Sequence, residues 1–209
     1  MLVNEIFLSI QGEGLTMGLP TVFVRLSGCN LDCSWCDTRY AGEGGIEMDA
    51  PRVLDSVRGY RVRHVCITGG EPLLQKESRE LISLLLDAGK VVVLETNGSL
   101  SLEGLPDHPD LRISMDYKCP SSGQEARMRT GNLALLGPKD QLKFVVADKE
   151  DLETARDVVV KNAPRCPVIL TPVGGLTLEP VVRFVLDRGL EVRVLPQLHK
   201  IIWGDRRGV

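Results

Sequence analysis

The 209-residue chain lacks any apolar run approaching the roughly 18 residues of a membrane-spanning helix. It also lacks an excess of basic residues, because 25 Lys and Arg stand against 28 Asp and Glu and give a net charge of −3. Proteins that bind a nucleic-acid backbone through charge are usually far more basic. We therefore expect neither a membrane nor a nucleic acid as partner. The first residues show no basic region and no small-residue cleavage site, which predicts a cytoplasmic protein.

Linkers rich in Ser or Pro, internal repeats and low-complexity segments are also missing from the chain. Hydrophobic residues make up 43% of the sequence and charged residues 25%, fractions that are typical of a globular protein. Because this length suffices for one large hydrophobic core, we expect residues 1–209 to form a single domain.

Cysteines are too few and too unevenly placed for a secreted disulfide framework. Three of the six lie within eight residues, in the spacing Cys29-x3-Cys33-x2-Cys36, and clustered thiols in a reducing compartment indicate metal binding. Of the remaining three, those at 66 and 166 lie in or beside apolar runs and are predicted to be small buried side chains. The last, at 119, is predicted to be a spare thiol in a loop.

Short β-branched and apolar runs alternate with amphipathic segments along most of the chain. They predict strands over 3–10, 21–26, 63–68, 91–95, 111–115, 142–147, 168–171 and 190–195. The amphipathic segments predict helices over 51–58, 73–88, 149–161 and 179–188. Residues 120–138 read as a loop excursion.

This alternation predicts an α/β protein whose mostly parallel sheet is buried on both faces. A complete eight-unit barrel takes about 250 residues, so we expect a partial (open) TIM-type barrel of about six βα units. Active sites of parallel α/β folds lie at the carboxyl ends of the strands. Three notable segments follow predicted strands, at residues 28–29, 68–71 and 95–98.

The cysteine triplet can be interpreted in two ways from its spacing. A [4Fe–4S] cluster bound by three thiolates keeps one iron open for an outside ligand, since full protein ligation takes four cysteines. A structural zinc ion needs a closed shell of four ligands, and no second CxxC pair or nearby histidine supplies one. The spacing favours the cluster, and zinc stays open as the alternative.

A second motif, Gly69-Gly70-Glu71-Pro72, follows a predicted strand. Two glycines at a strand end expose backbone carbonyls that a ligand ammonium could approach, although the run alone also suits an ordinary strand-to-helix turn. Together, and in this order, the cysteine triplet and the glycine run resemble the two signatures of the radical S-adenosylmethionine (SAM) superfamily. The resemblance implies that the open iron of the cluster binds SAM and that an electron from the cluster cleaves it to a 5′-deoxyadenosyl radical.

Further segments narrow the resemblance: Arg25 and the runs at 9–14, 36–38, 95–98 and 197–200 are similar to the 7-carboxy-7-deazaguanine synthase family. The similarity extends from about residue 4 to residue 202. It implies conversion of 6-carboxy-5,6,7,8-tetrahydropterin to 7-carboxy-7-deazaguanine with loss of ammonia, in the biosynthesis of queuosine-type or archaeosine-type tRNA bases. It also implies catalytic use of SAM, a Mg²⁺ ion, a homodimer, and an electron donor such as flavodoxin or ferredoxin.

The resemblance assigns roles residue by residue but singles out no catalytic side chain. It implies that the metal ligands are Cys29, Cys33 and Cys36 for the cluster and Thr38 for Mg²⁺. The implied SAM contacts are Trp35, Cys36, Asp37, Gly69, Gly70, Glu71, Ser114, Asp116, Lys118, Thr171 and Pro172. The implied substrate contacts are Ile10, Gln11, Gly12, Glu13, Arg25, Thr68, Glu95, Asn97 and His199.

Several of these residues suit their roles chemically. Arg25 lies in an apolar strand, where a buried charge needs a partner such as a substrate carboxylate. The amide of Gln11 offers a donor and an acceptor to a pterin edge. Thr38 equally fits a turn hydroxyl, and His199 a structural histidine. After the strand at 111–115 the family's usual Ser-Pro-Lys is replaced by a different sequence, so three SAM candidates remain there, namely Ser114, Asp116 and Lys118.

Two rival functions follow from the same motifs. A glycyl-radical enzyme activase shares the cluster spacing and would act on a partner protein instead of a pterin. A zinc-binding module would have no enzymatic activity. The presence of Arg25, Glu95 and the Gln11-Gly12-Glu13-Gly14 segment favours a small carboxylated substrate over the partner protein of an activase. Metal analysis after anaerobic reconstitution separates the zinc module from the iron–sulfur protein.

Overall fold

The computed structural model describes residues 1–209 and places nine strands in one sheet. The strands are β1 (Leu2–Ile10), β2 (Pro20–Leu26), β3 (Ile46–Glu47), β4 (His64–Gly69), β5 (Val91–Thr96), β6 (Leu111–Tyr117), β7 (Gln141–Val146), β8 (Val168–Pro172) and β9 (Arg193–Val194). Their spatial order is β3-β1-β2-β4-β5-β6-β7-β8-β9, and the two outer strands do not pair with each other. The sheet is therefore open, as the sequence predicted.

Seven neighbouring strands, β2 and β4 to β9, run parallel, whereas β1 and β3 are antiparallel additions at one edge. Continuous apolar runs such as that of β5 suit parallel strands because both of their faces are buried. The antiparallel edge follows from the short connection between β1 and β2, since a parallel pair needs a long crossover.

Five α-helices accompany the sheet: α1 (Ala50–Arg58), α2 (Ser78–Asp87), α3 (Lys149–Asn162), α4 (Glu179–Arg188) and α5 (Leu198–Trp203). Local capping defines several of their ends. The Asp49 carboxylate accepts a hydrogen bond from the Arg52 amide at the start of α1, and Gly189 ends α4 in the left-handed conformation that glycine favours.

Two element predictions were wrong in extent. The predicted helix over 73–88 begins at Ser78, because Pro72–Leu74 forms a separate 3-10 turn. The predicted strand over 190–195 is reduced to two residues. The predicted loop over 120–138 is confirmed, since it contains no α-helix or strand and only three 3-10 turns. The short elements β3 and α5 were not predicted, since two to six residues carry too little periodicity to detect.

The six connections between the parallel strands correspond to the expected number of units, but only four of them contain an α-helix. The connections before β6 and before β7 consist of loops and 3-10 turns. No helix in the structure combines the length and apolar character that crossing a bilayer requires.

Two clusters of buried apolar residues flank the sheet. One packs around α1 and α2 and the first strands, and the other around α3 and α4 and the later strands. Cys66 and Cys166 are buried, as predicted. Cys119 is a free thiol in the loop after β6, as predicted, and its side chain is fully buried in the second cluster. The two clusters fix the strand ends that carry the site described next.

Candidate active site

One large cavity of about 860 Å³ opens at the carboxyl ends of the parallel strands. This volume lies within the range of small-molecule sites. Most of the residues singled out from the sequence line it, although they come from distant parts of the chain. They are Ile10, Gln11, Gly12, Glu13, Arg25, Cys29, Cys33, Trp35, Cys36, Asp37, Thr38, Thr68, Gly69, Gly70, Glu95, Asn97, Asp116, Lys118 and His199.

Residues 29–38, here called the cysteine loop, follow β2 and form one wall of the cavity. Cys29 and Cys36 are exposed, while the buried Cys33 lies near both, and burial raises the pKa of its thiol. Cys66 also lines the cavity, but the charges that act on it are those of Glu95, Arg25 and Lys143, away from the loop.

The donor set of the cysteine loop fits an iron–sulfur cluster with one open iron. Three thiols share one wall, and no fourth cysteine lies beside them. No group of three or more Cys, His, Asp and Glu side chains in the chain is close enough to hold a single metal ion. Thiols that ligate iron must lose their protons, so cluster assembly overcomes the raised pKa of Cys33.

The cysteine loop is anchored to the 3-10 turn Pro120–Ser122. The Trp35 indole donates a hydrogen bond to the Ser121 hydroxyl at 3.0 Å, and the Ser34 amide donates to the Ser122 carbonyl at 3.1 Å. Ser121 is in turn fixed by the fully buried carboxylate of Asp151, which accepts from its amide and its hydroxyl. The first turn of α3 thus supports the wall that carries the thiols.

The glycine run packs against the same wall. A Cβ on Gly70 would lie 2.1 Å from the Gly28 carbonyl oxygen and 2.8 Å from the Cys29 Cβ, so a larger residue would displace the start of the cysteine loop. Gly69 adopts a φ of +147° and meets the backbone of Leu26 in the same way. The run is therefore required for close packing, besides any contact of its carbonyls with a ligand.

Glu71 does not line the cavity. It is fully buried, and its carboxylate accepts hydrogen bonds from the amides of Leu73 and Asn97 and from the Thr96 hydroxyl. Burial raises the pKa of Glu71 above its ordinary value despite these donors. The arrangement holds the end of β5, and with it Asn97, beside the glycine run.

Three other SAM candidates also lie outside the cavity wall. Ser114 is buried within β6 and accepts a hydrogen bond from the Gln141 amide at 2.6 Å. Thr171 and Pro172 are buried in β8. Of the three candidates on β6 and its end, only Asp116 and Lys118 line the cavity, where they form an ion pair of 2.9 Å and the ammonium lies 5.0 Å from the Trp35 ring.

Another part of the cavity lining is a polar floor formed by Glu13, Glu95, Lys143 and Gln197. The Lys143 ammonium makes a short ion pair with Glu13 and lies 3.5 Å from Glu95, and the Gln197 amide donates to Glu13 at 2.7 Å. Burial opposes ionisation of Glu13, yet the charge and hydrogen bond of Lys143 lower the pKa of Glu13 to about 2. Burial raises the pKa of Glu95, so the pKa values of Glu13 and Glu95 are shifted in opposite directions.

Arg25 already has a partner within the chain. Its Nε donates to Glu5 at 2.7 Å, and its guanidinium lies over the rings of Phe7 and Tyr40 at 5.8 and 5.7 Å. The sequence did not predict this pairing. The two terminal nitrogens make no hydrogen bond within the chain, so they remain free for an anion in the cavity.

Two buried polar atoms on the cavity wall have no hydrogen-bond partner. They are Nε2 of Gln11, a donor, and Oδ1 of Asp116, an acceptor. Buried polar groups are nearly always paired in folded proteins, so unpaired ones at a cavity wall fit bound molecules with complementary groups.

Sequence reasoning missed Lys143, Gln197, Phe7 and Tyr40, all of which line the cavity. A signal existed for Lys143, because a lysine within the buried run of β7 requires a charged partner just as Arg25 does. Gln197 belongs to the run 197–200 that carries part of the resemblance, but it was assigned no role, because its partner lies 184 positions away in the sequence.

Comparison with known proteins agrees with this geometry. The sequence model of the radical SAM superfamily matches residues 23–135. The 7-carboxy-7-deazaguanine synthase of Methanospirillum hungatei is 43% identical over 203 residues, covering 97% of this chain and 85% of that protein. The enzyme of the same name from Thermoplasma acidophilum is 40% identical and covers 100% of both chains. The chain belongs to the 7-carboxy-7-deazaguanine synthase family of radical SAM enzymes.

A solved structure of lower sequence identity has the same fold. The crystal structure of QueE from Escherichia coli is similar with a TM-score of 0.77 at 24% identity, over 95% of this chain and 94% of that one. Membership in the radical SAM superfamily implies a [4Fe–4S] cluster and SAM, for which the cysteine loop and the cavity provide the donors and the space. Membership in this superfamily also argues against the interpretation as a zinc-binding module. The relatives named as synthases do not support the interpretation as an activase.

Proposed function

We propose that this radical SAM enzyme converts 6-carboxy-5,6,7,8-tetrahydropterin to 7-carboxy-7-deazaguanine and ammonia, with SAM regenerated in each turnover. The pathway is that of queuosine-type or archaeosine-type 7-deazapurines. The observation that carries the proposal is one cavity lined both by the three thiols and by an arginine and an ionised carboxylate suited to a carboxylated pterin.

The polar floor suits the pterin edge. Pterins present ring and amino N–H donors, and the ionised Glu13 is an acceptor because its pKa is lowered to about 2. Gln11 contributes the unpaired donor of its amide, which fits the pterin's acceptors. Thr68, Asn97, His199 and the backbone of 10–12 complete the proposed substrate contacts.

Arg25 suits the substrate carboxylate. Its terminal nitrogens form a planar pair of donors, the geometry that binds carboxylates in a bidentate manner. Glu5 and the rings of Phe7 and Tyr40 hold the guanidinium in place, so little side-chain freedom is lost on binding. We propose that Arg25 orients the substrate so that its reacting carbon faces the thiol wall.

The residues near the thiols suit SAM. When bound, the cluster supplies the electron that cleaves SAM and so provides the radical that abstracts hydrogen from the substrate. Trp35, Cys36, Asp37, the carbonyls of Gly69 and Gly70, and the Asp116–Lys118 pair are the proposed SAM contacts. The free Oδ1 of Asp116 can accept from a SAM amino or hydroxyl group.

The function is tested by anaerobic reconstitution followed by turnover with the carboxytetrahydropterin, SAM and a reductant. We expect a deazapurine chromophore, release of one ammonia per product, and many product molecules per SAM. Consumption of SAM in proportion to product, or no product at all, would contradict the proposal. The same assay with flavodoxin and with ferredoxin tests the proposed electron donor, and a sedimentation run tests the proposed homodimer.

We also propose a Mg²⁺ site at Thr38. Its hydroxyl donates to the Asp37 carboxylate at 2.9 Å on the cavity wall, and hard cations prefer such oxygen ligands together with water. Thr38→Ala should weaken activation by Mg²⁺ and binding of Mn²⁺, followed by electron paramagnetic resonance, while the cluster is retained. Thr130→Ala, on an exposed turn, is the control. An unchanged metal response in the Thr38 variant would exclude this ligand.

A further inference from the structure

Lys143 is the central cation of the polar floor. It lies in the middle of β7 with only 6% of its surface exposed, and its ammonium contacts Glu13 directly and Glu95 at 3.5 Å. Burying an ammonium is costly unless it is paired. Its position is therefore maintained by the two carboxylates that it joins, one before β2 and one at the end of β5.

The carboxylate of Glu13 is held from two sides. Oε1 accepts from the Gln197 amide at 2.7 Å, and Oε2 accepts from Lys143. A carboxylate has about four lone-pair sites, so roughly half of its accepting capacity stays open toward the cavity. The two internal donors thereby set the plane of the group and the direction of the open lone pairs.

Other charged groups around the floor do not replace Lys143. Glu95 and Asp116 act on Lys143 as further negative charges, while the only other positive influence on Glu13 is His199, whose pKa is lowered chiefly by burial. Arg25 is paired with Glu5. Without Lys143, Glu13 and Glu95 would be two like charges in one buried site, and burial would favour the protonated form of each.

We propose that Lys143 is a positioning residue, which holds Glu13 as an oriented, ionised acceptor for the N–H donors of the substrate and does not itself contact the substrate. A protonated Glu13 would present a donor where the substrate also presents one. The inference rests on the proposed function for the identity of the substrate, but its electrostatic part concerns this chain alone.

Lys143→Met tests the inference kinetically in the reconstituted enzyme. Losing a hydrogen bond to a charged acceptor typically lowers affinity by about 10-fold or more, so the KM for the pterin should rise by that order. The KM for SAM should rise much less, because Lys143 pairs directly with Glu13 and Glu95 and not with the Asp116–Lys118 pair proposed to contact SAM. Lys161→Met, on the exposed side of α3, is the matched control. Equal rises in both KM values would indicate a general loss of structure and overturn the inference.

A double-mutant cycle separates positioning from folding. If Lys143 acts through Glu13, Lys143→Met combined with Glu13→Gln should bind the pterin no worse than Glu13→Gln alone, since the carboxylate that Lys143 orients has already been removed. Fully additive losses in the double variant would overturn the inference. Lys143→Gln, which keeps a hydrogen-bond donor in place of the ammonium, serves should the Met substitution be unstable.

Carboxyl NMR titration needs no substrate and so distinguishes this inference from the proposed function. In the wild-type protein the pKa of Glu13 is about 2, and in Lys143→Met burial without the cation should raise it above its ordinary value. The same Glu13 titration in both proteins would overturn the inference even if turnover is normal. If the wild-type protein neither binds nor converts the pterin, the proposed function is refuted. The titration would still decide the role of Lys143.

Discussion

The cysteine loop and the polar floor differ in how far their functional groups are already paired within the chain. In the cysteine loop two of the three thiols are exposed, and the third, Cys33, is buried near the Asp116–Lys118 ion pair. On the polar floor every charge is buried or nearly so and is already paired with another side chain. The loop therefore needs a cofactor to complete it, whereas the floor is complete before any ligand binds.

The cysteine loop and the polar floor therefore depend on different sources of free energy. Metal ligation supplies order to a loop of thiols, since site formation and cluster binding are coupled. The floor gains its order from folding, because buried charges must be paired as the strands assemble. Loss of the cluster should thus disturb the loop and leave the floor intact.

The largest expected effect comes from removing one thiol. Cys33→Ala should abolish cluster assembly and turnover, because two thiolates cannot hold the cluster in the loop. Iron and sulfide analysis after anaerobic reconstitution checks this result. Cys166→Ala, in the second buried cluster, should retain full iron content. If pterin binding were lost together with the iron in the Cys33 variant, the separation between loop and floor would be wrong.

A smaller effect is expected from removing the charge of Arg25. Arg25→Gln should keep the cluster but raise the KM for the pterin by about 10-fold or more, as for other lost charged hydrogen-bond partners. Steady-state kinetics and iron content together measure it. Arg63→Gln, whose side chain is exposed and pairs with Asp110, serves as control. Normal kinetics in the Arg25 variant would refute its proposed contact with the substrate carboxylate.

The smallest effect concerns the anchor of the cysteine loop. Ser121→Ala removes the hydroxyl that accepts from Trp35 and donates to Asp151, at a cost of about 1 kcal/mol. The cluster should still assemble but be lost to a chelator a few-fold faster, about 5-fold for that energy. Absorbance decay under a chelator measures the rate, with Ser101→Ala as control. Identical decay in both variants would show that the anchor does not hold the loop.

Most of the fold could be predicted because its signals are local. Apolar runs of parallel strands and the ends of α1, α3 and α4 are set by neighbouring residues, and the predicted bounds lie close to the observed ones. The α2 region was misjudged because the capping carboxylate of Glu71 turns the chain into a 3-10 turn first. The helix-free connections before β6 and β7 had no periodic signal that distinguishes them from longer loops.

In the candidate site, too, the features formed by neighbouring residues were predictable and those formed by distant residues were not. The cysteine spacing and the glycine run are contiguous in sequence, so their meeting at the strand ends was predictable from the parallel topology. Glu71 was expected at the cavity because it belongs to that run, but its carboxylate turns toward the amides of Leu73 and Asn97. Its packing role depends on atoms from β5 that a linear motif does not reveal.

The sequence by itself determined the kind of chemistry, since three closely spaced thiols and a glycine-rich strand end are properties of neighbouring residues. Only the tertiary structure decided how the polar floor is charged, because Glu13 meets Lys143 and Gln197 across separations of 130 and 184 positions in the sequence. Coulomb interactions depend on distance in space and on burial, and neither is defined until the sheet has formed.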